Sequence, residues 1–173
     1  MSVLALGVVV SGCSDMQEGT AKPGTNAQTK TASTKAGTPA SEPGGDLASV
    51  KKPCDLLKAA DATNLFPTSP ENLDANSCQA RDAKDVLVRF NLYRDKGLKD
   101  ITPVNPQAEL SDTTVGAHKA KLIKKAVTST ACAVTIEVSA ISRVDVVGTG
   151  GRTLDVSCDS AMAVAKAIEP NLP

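Results

Sequence analysis

Few side chains in this chain are suited to covalent or acid–base chemistry. They are Cys13, Cys54, Cys78, Cys132 and Cys158, the single histidine His118, and the acid pair Asp82 and Asp85. A thiol or hydroxyl nucleophile needs a base beside it, and no cysteine or serine is marked out as a partner for His118. Structural zinc sites usually bring close Cys-x2-Cys pairs, and the spacings here contain none. Gly148-Thr149-Gly150-Gly151 lacks the Gly-Lys-Ser/Thr ending of a phosphate loop and reads instead as a hairpin turn. No Gly-x-Ser-x-Gly elbow is present. Asp82 and Asp85 fall in a turn, where Asp is favoured for backbone reasons. These residues predict no catalysis, no cofactor and no metal.

Composition narrows the partners. The 173 residues carry 19 basic and 19 acidic side chains, so the formal net charge is zero. A neutral chain has no global basic field to hold nucleic acid. The three aromatics, Phe66, Phe90 and Tyr93, are too few for a base-stacking or sugar-stacking platform.

Three materials follow one another along the chain. Val3 to Val10 is an apolar run, too short for a bilayer span of about 20 residues and of the right length for a secretory signal. It ends in Val10-Ser11-Gly12-Cys13, which resembles the lipobox of bacterial lipoproteins. That resemblance implies a signal peptide over 1–12 and a diacylglyceryl group on Cys13. The two acyl chains would give stable anchoring in the membrane. Met1-Ser2-Val3-Leu4 carries no Lys or Arg, which such signals normally have, so either the true start lies upstream or the start codon is wrongly chosen. Ser14 to Val50 is rich in Gly, Pro, Ser, Thr and Ala, has no aromatic and no apolar period, and predicts a flexible tether. The globular domain is expected over 51–173.

Within it, Pro53 to Leu65 predicts a helix, with Pro early and Asp55 in the first turn. Residues 76–81 and 86–93 predict a hairpin around Asp82 to Asp85, with Val86, Val88, Phe90 and Leu92 on one face. Thr113 to Lys125 predicts one strand, irregular at Gly116. Ala131 to Ser139 is the clearest strand, with Cys132, Val134, Ile136 and Val138 pointing one way. Residues 144–147 and 153–157 predict strands either side of the Gly-rich turn, and 159–168 a closing helix. The expected fold class is α+β: an antiparallel sheet with an N-terminal and a C-terminal helix packed on it.

With Cys13 lipidated, Cys54, Cys78, Cys132 and Cys158 form an even set, which outside the cytoplasm predicts two disulfides. Three pairings are possible. Cys54–Cys158 and Cys78–Cys132 are favoured, since the first would fasten the two helix starts and the second would cross the sheet. The one local charge run, His118, Lys119, Lys121, Lys124 and Lys125, reads as an anionic-surface patch or as a solvated strand edge.

Several landmarks occur in order: Pro53-Cys54-Asp55-Leu56-Leu57, Ser77-Cys78-Gln79, Val115-Gly116-Ala117-His118-Lys119-Ala120, Ala131-Cys132-Ala133-Val134, and Cys158-Asp159. Together they resemble a family of uncharacterised secreted actinobacterial lipoproteins, a four-cysteine domain of unknown function. That family usually has an aromatic after its second cysteine, where Ala80 and Arg81 stand here. The resemblance implies an exported lipoprotein domain and implies no activity. The expected function is therefore non-enzymatic: a lipid-anchored domain on the outer face of the membrane that binds an envelope protein or cell-wall polymer. The alternative is a carrier of a small apolar ligand or lipid.

Overall fold

A computed structural model describes residues 46–173, and all of them belong to one folded unit. Its sheet has seven strands: β1 (Glu71–Asn72), β2 (Ser77–Arg81), β3 (Leu87–Tyr93), β4 (Glu109–Val115), β5 (His118–Lys124), β6 (Cys132–Ser139) and β7 (Ser142–Thr149). Every pairing is antiparallel, in the order β1-β2-β3-β7-β6-β5-β4. Two helices accompany it, α1 (Ala59–Leu65) and α2 (Leu154–Ile168). The expected signal peptide, Cys13 and nearly all of the tether lie outside the described residues.

The core follows from period-two alternation on the central strands. Val88, Phe90 and Leu92 of β3, Val144 and Val146 of β7, and Val134, Ile136 and Val138 of β6 all turn to one face, each 4 % exposed or less. α2 covers that face with Ser157, Ala161, Val164, Ala165 and Ile168. Thr153 caps α2, its hydroxyl accepting from the Val156 amide, and Asp155 sits in the first turn where the helix dipole favours an acid. Small residues on the buried helix face allow close approach. A Cβ at Gly148 of β7 would collide with the Ser157 carbonyl oxygen, so glycine there lets the helix rest directly on the strand.

Four expectations need correction. The strand expected over 113–125 is a hairpin of β4 and β5, because Gly116 takes φ 55° and reverses the chain at a two-residue turn. The strand expected over 153–157 is the first turn of α2, and the Gly-rich segment ends β7 with Gly148 and Thr149 and then, from Gly150, connects strand to helix. The apolar alternation of Leu154, Val156 and Cys158 gave way to the Thr153 cap and to helical burial of Ser157, Ser160 and Ala161. The helix expected over 53–65 is broken into a 3-10 turn at Pro53–Leu56 and the short α1, which has no buried residue and touches α2. Finally, the folded unit includes residues expected in the tether. Leu47 is fully buried in the core, and Arg94 donates to the Val50 carbonyl at 2.8 Å, so 46–50 are part of the domain.

The disulfides are Cys54–Cys78 and Cys132–Cys158, with Cα separations of 5.1 and 4.9 Å. The expected Cys54–Cys158 and Cys78–Cys132 are thus both replaced. Each actual bond joins a helical segment to the strand beneath it: the 3-10 turn to β2, and α2 to β6. Cys132 points to the face that α2 covers, so its nearest cysteine is the one on that helix.

Candidate binding face

The sheet has a second face, and among the described residues no α-helix lies on it; a 3-10 turn, Leu98–Asp100, sits in the segment that crosses part of it. Its residues follow from the register. Leu87, Arg89, Asn91 and Tyr93 of β3 pair with Thr149, Val147, Asp145 and Arg143 of β7, all pointing away from the core. Beyond β3, Gln79 and Ser77 continue two of these rows; beyond β7, Ala133, Thr135 and Glu137 of β6 do so.

Part of this face is covered by the connection between β3 and β4, residues 94–108. Ile101 and Ala108 pack on Ile123, Ala126 and Ala133. Asn105 ties the strap to the sheet, donating from its side chain to the Lys125 carbonyl at 2.8 Å. Under the strap lies a buried polar cluster. Arg143 is 5 % exposed. Its Nε donates to Asp145 Oδ1 at 2.9 Å, its Nη1 donates to the Gly97 carbonyl at 2.9 Å, and its guanidinium stacks on the Tyr93 ring at 4.3 Å. Burial pushes the Asp145 carboxyl above the usual carboxylate range, and the Arg143 cation only partly offsets that. Thr135 faces Asp145 across the β6–β7 ladder, and its buried hydroxyl lies outside hydrogen-bonding geometry with any partner, though close enough to favour the charged carboxylate.

The uncovered part carries two shallow cavities that meet at Asn91. One, about 310 Å³, has an apolar floor of Leu87, Val127 and Val147 with Arg89, Asn91 and Thr149 around it. The other, about 430 Å³, is more polar and involves Asn76, Ser77, Asn91, Tyr93 and Arg94. At its rim the backbone amide of Asn76 holds the Asp74 carboxyl below its usual range. Arg94 anchors the rim by donating to Asn76 Oδ1 and to the Val50 carbonyl. Arg89 donates to Gln79 Oε1 at 3.0 Å and is exposed. The apolar floor is thus ringed by Arg89, Asn91 and Thr149, and Tyr93 lines the polar cavity beside it.

The expected lysine patch is divided by the pleat. His118 leaves it altogether: it is buried on the helix side, with Nδ1 2.8 Å from the Glu137 carbonyl and Nε2 3.8 Å from Glu169 Oε1. It therefore faces away from Lys119 and Lys121, and Lys124 lies on its side of the strand. Lys121 is ion-paired with Asp112 at 2.6 Å and Lys125 with Glu109 at 2.5 Å. Lys119 and Lys124 have no ion pair among the described residues. Asp82, which the sequence placed in a turn, also receives a hydrogen bond from Ser160 at 2.5 Å and so ties that turn to α2.

Sequence reasoning missed the open face. The alternation that marks Val88 and Phe90 as core also places Arg89 and Asn91 opposite them, but it does not say that the opposite face stays uncovered.

One comparison decides the family. The model for DUF3558, described as a protein of unknown function, matches residues 8–171. The chain belongs to the DUF3558 family. The match reaches well N-terminal of the landmarks at 53–173 that suggested a relationship. No curated protein and no solved structure matches this DUF3558 chain. Its two disulfides are consistent with an extracytoplasmic location.

Proposed function

We propose that this DUF3558 domain is a non-enzymatic binding module of the cell envelope, held on the outer face of the membrane by lipid on Cys13. Its recognition surface is the open sheet face of β3 and β7. The observation that carries this reading is the pair of cavities meeting at Asn91 on the sheet face that no α-helix covers among the described residues. Supporting the anchor are the small-residue ending before Cys13 and the tether composition of 14–45. The combination of apolar floor and Arg, Asn and Tyr favours a protein partner over a wall polymer. The carrier alternative is less well supported, because Val134, Ile136, Val144 and Val146 fill the layer between sheet and α2 at 0 % exposure.

A photo-crosslinking residue at Arg89, in the anchored protein on cells, tests the surface. The reading predicts a discrete adduct with one envelope protein from Arg89 and none from Lys166, which is exposed on the far side of α2. No adduct from Arg89, or equal adducts from both positions, would overturn it. The anchor is tested separately by Cys13→Ser, which should release the protein into the soluble fraction; retention on salt-washed membranes would contradict it.

A further inference from the structure

The two edges of the sheet differ. β1 is two residues long and offers little to pair with. β4 is seven residues long, exposed along most of its length, and in unbroken register with β5. Among the described residues it has a strand on one side only. It contains no proline, lysine or bulge, the devices that usually keep such an edge unpaired.

Which backbone groups point outward follows from the hairpin. Val115 and His118 close the two-residue turn as a hydrogen-bonded pair. By alternation the N–H and C=O groups of Leu110, Asp112 and Thr114 face away from β5. Glu109 and Asp112 would make this edge acidic, but Lys125 and Lys121 neutralise them from β5, and the hydrogen bond from Lys125 holds the Glu109 carboxyl below its usual range.

We infer that β4 pairs antiparallel with β4 of a second copy of this chain, across a twofold axis at Thr113. Three symmetric registers use the outward groups and keep the helix-covered faces on one side. Centred on Asp112, two carboxylates would oppose each other. Centred on Ser111, Asp112 would face the apolar Leu110 of the other copy. Centred on Thr113, Asp112 faces Thr114 of the other copy, whose β5 neighbour is Lys119. Asp112 then lies between its own Lys121 and the second copy's Lys119, which has no ion pair among the described residues. Two strand spacings, about 10 Å between Cα atoms, are within reach of those two side chains. The charge pattern therefore selects both the occupant and the register. This inference does not depend on the proposed partner face, which lies on other strands.

The test uses the full chain with Cys13→Ser, which is expected to stay soluble without detergent. Sedimentation equilibrium should show a dimer at micromolar concentrations. Thr113→Cys should then form a covalent dimer under mild oxidation, since opposed residues of a non-hydrogen-bonded pair sit about 4.5 Å apart at Cα. Ser111→Cys should not, because its symmetry mate lies four residues away along the strand. Thr114→Pro removes one outward donor used only by the dimer, and should give a folded monomer with an unchanged circular dichroism spectrum. Lys119→Glu should weaken the dimer by a few-fold to about tenfold, in two symmetric pairs. A monomer at all accessible concentrations, or equal cross-linking from Ser111→Cys and Thr113→Cys, would overturn the inference.

Discussion

Arg143 and Asp145 leave the same side of β7 two residues apart and close an ion pair, Nε to Oδ1 at 2.9 Å, beneath the strap of residues 94–108. The pair stands between two tasks. Asp145 keeps the buried guanidinium neutralised, and the guanidinium in turn holds the strap through the Gly97 carbonyl and the edge of the open face through the Tyr93 ring. Removing one member leaves the other buried and uncompensated, which is far costlier than never having built the pair. Arg143→Met should therefore leave Asp145 buried without its cation and destabilise the domain at neutral pH, by about 3–5 kcal/mol in urea unfolding.

The same pair makes a signed pH prediction. The folded state raises the Asp145 pKa, so between the unfolded value, about 4, and the raised folded value the native state binds more protons than the unfolded state. Asp145 thus contributes most below its unfolded pKa, and part of that contribution is lost as pH rises through the folded pKa. Wild type should lose stability relative to Asp145→Asn as pH increases across this window. Urea unfolding of both proteins from pH 4 upward measures it; a wild type that gained stability relative to Asp145→Asn with rising pH would contradict the burial-driven shift.

Gly116 is a second point where backbone and side-chain packing coincide. It takes φ 55°, and a Cβ there would fall on the Glu169 carboxylate, which accepts from the Ala117 amide and lies near His118. Gly116→Ala should cost roughly 1–3 kcal/mol, from strain at positive φ and from displacement of Glu169. Thermal unfolding checks it. Ala117→Gly, one residue on and exposed, should cost clearly less.

Each disulfide closes a short loop, with sequence separations of 24 and 26, and the loops follow one another without nesting. Their effects on the unfolded chain are therefore close to independent, roughly 3–4 kcal/mol each in the loop-entropy model. Cys132→Ser with Cys158→Ser should lower stability by about that much, and the Cys54, Cys78 pair likewise. Proteolytic mapping without reductant should yield linked peptides 54–78 and 132–158 and neither of the crossed combinations.

How much of this was legible in the sequence can be argued residue by residue. The alternation of Cys132, Val134, Ile136 and Val138 marked β6 and its core face correctly, because a half-buried strand has no other way to satisfy both faces. The β4–β5 hairpin was not legible in that way. Thr113 to Lys125 alternates weakly, and only the positive φ of Gly116 shows that the chain reverses there. α2 was read five residues short, since Leu154, Val156 and Cys158 mimic a strand while the buried helix face starts with a serine. The cysteine count pointed to two bonds, and the pairing depended on which strand each helical segment overlies, a tertiary fact. The open face was invisible for the same reason: Arg89, Asn91 and Tyr93 look like any solvated strand face until the register sets them beside Val147, Asp145 and Arg143.

Occupancy of that face on living cells is the most direct test of the account. Arg89 on the open face and Arg152 before α2 are both exposed in the isolated domain. Treating intact cells and purified protein with an arginine-modifying dicarbonyl, then reading both sites by peptide mass spectrometry, compares them under one chemistry. The account predicts that Arg89 is protected on cells and reactive in purified protein, while Arg152 reacts alike in both. Equal modification of Arg89 in the two preparations would contradict a partner bound on the β3–β7 face.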